Sequence, residues 1–357
     1  MTVHSWTATS NDPRLDAEAF GTQFRPQLHN AWTEYETFFG AIGVASAVAL
    51  DIAADCLAAI HEWAPDLAEE IRLIADGAGL SNAQVTALNA RTEIMATVPP
   101  AGNGECSTGI YLPPEGGTPR SIQTWDWLDA LSNDTVVRSF ARADIGVTTF
   151  SEFGQLAKIG VNSAGVGVHF NILNHVSDGG RPGVPVHIVA RRILDSASSL
   201  EEAIAIARSA RVSASTVITV ITRHGEAACI ELCPDGVAVI RAVPGTALVH
   251  TNHFLDPTLA QGETTPHFIS TYNRFTCLTE RRDAISEPDP LARVQRLAGT
   301  DEGGPINVTP RPDAPFELSW ATKATITLDV QNTTIGLCEG GPSLASAERW
   351  RIFPEHR

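Results

Sequence analysis

The feature that most constrains this chain is a change of pattern at one place. Residues 14 to about 97 carry helix signals, residues from 107 onward carry strand signals, and between them lies Val98-Pro-Pro-Ala-Gly-Asn-Gly-Glu-Cys106. Two prolines and two glycines in that stretch exclude regular structure, so it is a connection between two differently built parts. On the helical side, Pro65 followed by Asp66, Glu69 and Glu70 reads as a first turn. Leu67, Ile71 and Ile74 then share one face, and Gly77 and Gly79 are the stop. Ser81 with Gln84 three residues on is a capping box opening a second helix through Val85 and Leu88 toward Ile94.

Beyond the connection, short apolar or alternating runs separated by Gly, Pro, Asn and Asp predict strands at 107–112, 120–125, 135–141, 146–153 and 165–170. Helices are predicted at 184–196 and 199–210, strands again at 215–222, 227–232, 237–242 and 247–251, then helices at 268–285 and 290–298. A closing hairpin is predicted over 323–331 and 334–338, turning at Asn332. Strand blocks alternating with helix pairs point to an α+β fold with antiparallel sheets covered by helices, rather than a doubly wound parallel sheet. Two stacked sheets between helical layers fit this order. Gly160-Val-Asn-Ser-Ala-Gly-Val-Gly167 matches neither glycine fingerprint for a phosphate loop.

Charge narrows the partners. With 41 acidic against 25 basic residues and a formal charge of −16, the global field repels nucleic acid and anionic membrane. The first ten residues lack the basic start and apolar run of a secretory signal, and no apolar stretch reaches membrane-spanning length, so a cytoplasmic location and no membrane partner are expected. The cysteines Cys56, Cys106, Cys229, Cys233, Cys277 and Cys338 are then expected to be reduced. Cys229 and Cys233 read as core positions of a strand, and no metal or other cofactor is expected.

Cys106 opens a strand directly after the Pro/Gly break and is followed by Ser107 and Thr108. The run Gln123-Thr-Trp-Asp-Trp127 ends a strand that can hairpin back beside it, bringing Asp126 near Cys106. Further on come Gly160-Val-Asn-Ser-Ala-Gly165, then Asn171, and His250-Thr-Asn-His-Phe254 at another strand end. His250 and His253 lack a third metal ligand nearby and are taken as structural. Together with residues 66–80 and Leu88-Asn-Ala-Arg-Thr-Glu-Ile94, these motifs resemble, in order and spacing, the penicillin acyltransferase-like family of cysteine N-terminal nucleophile hydrolases, from about Pro65 to Ala324. Thr124 and Glu105 depart from that pattern, where Asn and a small residue are usual.

The resemblance implies a four-layer αββα sandwich preceded by a helical leader, with residues 1–105 the leader and 106–357 the catalytic chain. It implies self-cleavage between Glu105 and Cys106, with Cys106 the nucleophile, Asp126 orienting its new amino group and Asn252 donating to the oxyanion. Arg274 and Thr108 are weaker candidates for substrate contact. Arg274 taken alone reads as a surface ion-pair partner on an acidic protein. The expected function is hydrolysis of a linear N-acyl amide through an acyl-thioester. The alternatives are acyltransfer from a thioester or amide donor, an acyl-coenzyme A among them, to an amine, and an uncleaved inactive binding homologue, to which Glu105 points. The expected partners are a small-molecule amide and the chain's own two cleavage fragments, held as a heterodimer.

Overall fold

A computed structural model describes residues 1–10, 12–99, 106–264 and 270–355. The chain opens with β1 (Thr2–Thr7), followed by α1 (Pro13–Gln23), α2 (Arg25–Ala41), α3 (Ser46–Trp63), α4 (Pro65–Ala78), α5 (Asn82–Asn89) and α6 (Arg91–Met95). Then come β2 (Ser107–Tyr111), β3 (Arg120–Leu128), β4 (Asp134–Arg142), β5 (Ile145–Glu152), β6 (Ile159–Asn162) and β7 (Val166–Ile172). Helices α7 (Val186–Ser196) and α8 (Leu200–Ser209) lead to β8 (Thr216–Thr222), β9 (Ala227–Cys233), β10 (Gly236–Arg241) and β11 (Ala247–His250). The chain closes with α9 (Ser270–Glu280), α10 (Arg282–Ile285), α11 (Pro290–Ala298), β12 (Trp320–Asp329), β13 (Thr334–Glu339) and β14 (Arg351–Phe353).

Local chemistry explains the helix ends. Pro65 occupies the first turn of α4, where its missing N–H costs nothing, and Gly79 stops the helix at φ 72°, a left-handed position that glycine takes without strain. The capping box at Ser81 forms in both directions: Ser81 Oγ accepts from the Gln84 N–H at 3.2 Å and Gln84 Oε1 accepts from the Ser81 N–H at 2.8 Å. Two local expectations change. The helix opened at Ser81 ends at Asn89, whose amide donates to Gly154 O at 2.8 Å and accepts from the Leu156 N–H at 2.9 Å, tying the chain to a distant loop. Gly77 is not a stop but an inner position of α4, where α1 crosses it. A Cβ on Gly77 would meet Glu18 O at 2.3 Å, and one on Gly21 would meet Ile74 O at the same 2.3 Å. Gly77→Ala is therefore expected to destabilise the protein by about 1–3 kcal/mol, the usual cost of forcing packed elements apart. Thermal unfolding checks this, and an unchanged melting temperature would contradict the close crossing.

The strands form two sheets, ordered β1-β4-β5-β6-β7-β8-β9-β10 and β11-β2-β3-β12-β13-β14. Pairing is antiparallel apart from β1 with β4, which run parallel from Thr2 opposite Asp134 to Thr7 opposite Ser139. The sheets face each other through β2 on β7 and through β12 and β13 on β5 and β6. Outside the first sheet lie α7 and α8, and outside the second lie α9, α10 and α11, giving four αββα layers. The α+β sandwich is thus present, with β1, β6 and β14 as strands that sequence patterning did not delimit.

The N-terminal part shares the core of the sandwich. Phe20, Phe24 and Leu88 lie in one apolar cluster with Trp125, Phe150 and Phe153. Two buried ion clusters also tie it to the sheets. Glu70 of α4 pairs with Arg138 at 2.9 Å, with Arg191 at 2.7 Å and with Arg142. Burial alone would raise the Glu70 carboxyl, but these guanidinium groups hold it well below the usual carboxylate range. Glu152, at the end of β5, pairs with Arg91 and Lys158, each at 2.9 Å, and accepts from Tyr35 and Ser132. Among the described residues no single helix is long and apolar enough to cross a membrane, and α2 and α3 are bent by 114° at their junction.

Candidate active site

Cys106 immediately precedes β2, and the β2–β3 register opens with Ser107 opposite Thr124, so Cys106 comes beside Trp125. Side chains alternate along both strands. Thr108 and Gln123 reach the opposing sheet at Asn171 and Phe170, which puts Cys106 and Trp125 on that same inter-sheet face. The thiol is 4% exposed and donates to Asp126 O at 3.7 Å. Asp126 is buried near the C-terminal end of β3, where its partner strand β12 carries a bulge between Thr322 and Ala324. Bulges of this kind locally re-aim a strand. The β2–β3 hairpin thus brings the Asp126 backbone carbonyl to the Cys106 thiol; Glu105, the other side of the expected cleavage bond, lies outside the described residues.

Two further side chains donate to the Cys106 carbonyl, and a third reaches it through one of them. Asn171 Nδ2 donates to it at 3.0 Å and Arg274 Nη1 at 2.7 Å. Arg274 Nη1 also donates to Ser107 Oγ at 3.1 Å, and Nη2 to Asn252 Oδ1 at 2.9 Å. Asn252 Nδ2 in turn donates to Ile172 O at 2.8 Å, and the Asn252 backbone N–H donates to Thr271 Oγ1 at 2.9 Å. Arg274 is therefore fully buried, not a surface ion-pair partner, because α9 packs on β11 and β2 and drives its guanidinium into the nucleophile's surroundings. Its guanidinium donates to Cys106 O, Ser107 Oγ and Asn252 Oδ1, all protein groups, and the Thr108 hydroxyl donates to Asn171 Oδ1 at 2.7 Å. Both residues shape the surroundings of Cys106 from within the protein.

Several members of this constellation carry no sequence signal of their own. Glu231 on β9 fixes the loop bearing Asn252, standing 2.7 Å from His250 Nε2 and accepting from the backbone N–H groups of Leu255 and Asp256 at 2.6 and 3.1 Å. It sits within a strand that patterning marks only as core. His253 contacts Thr271 Oγ1 at 3.0 Å, so the two histidines serve the loop. Among the described residues no group of three His, Cys, Asp or Glu side chains is arranged to hold a metal ion.

Electrostatically, burial pushes the Cys106 thiol up to about 11, and the Asp126 carboxylate adds to the rise, while Lys158 and Arg274 oppose it. In the continuous chain the sulfur is thus held as a thiol at neutral pH. Cys229 is pushed up to about 12 by burial, with Thr219 Oγ1 3.4 Å from its sulfur, and it lies in a separate apolar cluster with Val217 and Cys233.

A cleft of about 790 Å³, counting the open solvent at its mouth, begins one residue beyond Asn171, at Ile172 and Leu173. Its walls come from both parts of the chain: Phe38, Ile42 and Met95 from the helical part, Ala214 and Trp320 from the sandwich. Val98 and Pro99, which lead toward Cys106, also line it. A larger groove, about 1060 Å³, lies at the far end of the second sheet around Arg120, Arg293 and Asp329 and contains none of the candidate residues.

Comparison with known proteins identifies the family of the chain. The family model of acyl-coenzyme A:6-aminopenicillanic acid acyl-transferase matches residues 114–343, a span that includes Asp126, Asn171, Asn252 and Arg274 but begins after Cys106. The 40 kDa form of acyl-coenzyme A:6-aminopenicillanic-acid-acyltransferase from Emericella nidulans is 32% identical over 197 residues, 55% of this chain and 53% of that protein. The chain thus spans about half the length of that relative. Among solved structures, a mutant conjugated bile acid hydrolase from Clostridium perfringens is similar at 14% identity and a TM-score of 0.47, over 69% of this chain and 92% of that one. Penicillin V acylase from Agrobacterium tumefaciens is similar at 14% identity and a TM-score of 0.35, over 66% and 76%. With its model matched over more than half of the 357 residues, this chain belongs to the acyl-coenzyme A:6-aminopenicillanic acid acyl-transferase family.

Proposed function

We propose that this chain is a self-processing cysteine amidohydrolase that cuts itself between Glu105 and Cys106 and then cleaves a linear N-acyl amide through an acyl-thioester on Cys106. The observation that carries this reading is the convergence of Asn171, Arg274 and, through Arg274, Asn252 on Cys106 at the start of a buried strand. While the bond before Cys106 is intact, its nitrogen is an amide and cannot take the thiol proton. The sulfur attacks the carbonyl of residue 105, the acyl group shifts from nitrogen to sulfur, and water hydrolyses the thioester, leaving a free amine on Cys106. An α-amino group near 7.7 to 8.0 suits a general base at neutral pH, and its ammonium form counters the burial that holds the thiol protonated. Asp126 favours that ammonium, being an anion beside the new terminus. The same thiolate then attacks the substrate carbonyl, the amine leaves with the proton, and water resolves the acyl-enzyme.

Along the cleft beyond Ile172, Phe38, Ile42, Met95 and Trp320 suit an acyl chain while His175, Asp178 and Glu317 give it a polar side, and residues from both fragments build it. Residues 1–105 and 106–357 are accordingly expected to remain together as a heterodimer, since the apolar core and two buried ion clusters cross the cleavage point. Intact mass is expected to give chains of 105 and 252 residues that co-elute under native conditions. Only the full-length mass, with a model amide still turned over, would remove the self-cleavage mechanism. The family's description favours a second reading, in which an amine acceptor rather than water resolves the thioester and an acyl-coenzyme A donor charges it. Supplying an amine and measuring the ratio of new amide to free acid separates the two.

A further inference from the structure

Lys158 has no role in the chemistry derived so far, yet it is a buried cation in the space between the sheets. It lies just before β6, 1% exposed, with Nζ 2.9 Å from Glu152 Oε2 and 4.1 Å from the centre of the Trp125 ring. Trp125 is the residue beside Cys106 in the β2–β3 register, on the same inter-sheet face. An ammonium resting on that ring and tethered by a carboxylate cannot swing to solvent, so its charge stays beside Trp125, the neighbour of Cys106 across the β2–β3 pair.

We propose that Lys158 is the positioning cation of the nucleophile: held by Glu152 and the face of Trp125, it supplies the positive field in which the Cys106 thiolate forms. Arg91 is the far support of this arrangement. It pairs with Glu152 at 2.9 Å and stacks 3.7 Å from the centre of the Trp127 ring, so a residue of the N-terminal fragment keeps Glu152 charged and in place. The fragment released by self-cleavage then remains part of the site's electrostatics. The proposal rests on Cys106 being the nucleophile, as argued above.

Other charged and titratable groups face this cluster. Tyr35 and Glu34 of α2 approach Glu152, and burial raises both, Glu34 less strongly. On α7, burial together with Arg91 and Lys158 keeps His187 well below its usual value, so it adds no positive charge. Lys323 on the β12 bulge stands farther out, donating to Asp129 O at 2.8 Å. Asp126 opposes thiolate formation from the other side. Burial lowers Lys158 itself to about 8, while Glu152 and the nearby Cys106 pull it upward. Both directions agree with a cation and a sulfur that influence each other across the inter-sheet space.

The test reads the sulfur itself. Iodoacetamide alkylation of Cys106, followed by peptide mass across a pH series, reports the midpoint of thiolate formation in the purified protein. Replacing Lys158 by Met is expected to move that midpoint upward, slowing alkylation below it by about tenfold for one pKa unit. Because Lys158→Met leaves Glu152 buried beside one cation fewer, the double variant Lys158→Met with Glu152→Gln is measured alongside it and is expected to show a smaller shift in the same upward direction. Lys158→Arg, which keeps the charge, is expected to restore the midpoint. A role confined to packing would change the melting temperature and leave the profile where it was. If alkylation of wild-type Cys106 abolishes turnover but the midpoint is unmoved in both methionine variants, the Lys158 proposal falls and the nucleophile stands. If alkylated wild-type protein still turns over substrate, both fall.

Discussion

Replacing Cys106 by alanine is expected to leave a folded chain of 357 residues that neither cuts itself nor turns over an amide. The nucleophile serves both reactions, so both should vanish together, turnover by roughly a million-fold as when a serine hydrolase loses its nucleophile. Stability should change far less. Losing one sulfur from a site 4% exposed costs on the order of 1 kcal/mol. The informative control is Cys229, which is buried to a similar degree but sits in another apolar cluster beside Thr219. Cys229→Ala should lower the melting temperature while leaving cleavage and turnover near normal. Intact mass, a melting curve and a model-amide assay on the two variants check the assignment. A stable, self-cleaved Cys229→Ala protein without activity would move the chemistry to that cysteine.

Asn252 carries the second large effect. Its amide is held at both ends, Oδ1 accepting from Arg274 at 2.9 Å and Nδ2 donating to Ile172 O at 2.8 Å. These two bonds fix the plane of the amide and hence the direction of its second N–H. If that N–H steadies the tetrahedral oxyanion, Asn252→Ala should lower turnover by about 100-fold to 1000-fold, equivalent to about 2.7–4 kcal/mol. Self-cleavage should slow in parallel, since it passes through the same kind of intermediate. The alanine variant should also melt lower, because a buried Arg274 donor loses its acceptor, at a cost of about 1–3 kcal/mol. Asn252→Asp separates these effects by keeping an oxygen for Arg274 while removing the N–H. An aspartate variant with near-normal turnover on protein allowed to mature fully would sink the oxyanion role.

Much of the sandwich is legible locally. The β2–β3 hairpin, the β12–β13 hairpin and the α7–α8 pair all follow from apolar periodicity bounded by Gly, Pro, Asn and Asp. Where the reading failed, a partner distant in sequence was responsible. The strand β1 has no clean alternation; Val3 and Trp6 are its buried side chains, and it exists because it lies parallel on β4, some 130 residues away. The helix begun at Ser81 stops at Asn89 because Gly154 and Leu156 claim that side chain.

The candidate site divides in the same way. Cys106 after a Pro/Gly break, Asp126 in a Trp-flanked run and Asn252 between two histidines are visible as motifs. Arg274 in an acidic sequence looks like a surface cation, and only the packing of α9 against β11 and β2 makes it a buried ligand of the Cys106 carbonyl. Lys158, Glu152 and Arg91 are ordinary charges in sequence, up to 67 positions apart, and become one buried cluster only when β5 and α6 meet beside Trp125 and Trp127. The sequence by itself determined which segments become helices and strands, where they break and which residue types stand at the break, because those depend on caps, turns and periodicity within a few residues. Tertiary structure alone decided register, burial and charge pairing. Those depend on which distant surfaces exclude water together, and a buried charge takes its value from neighbours that the local chain does not name.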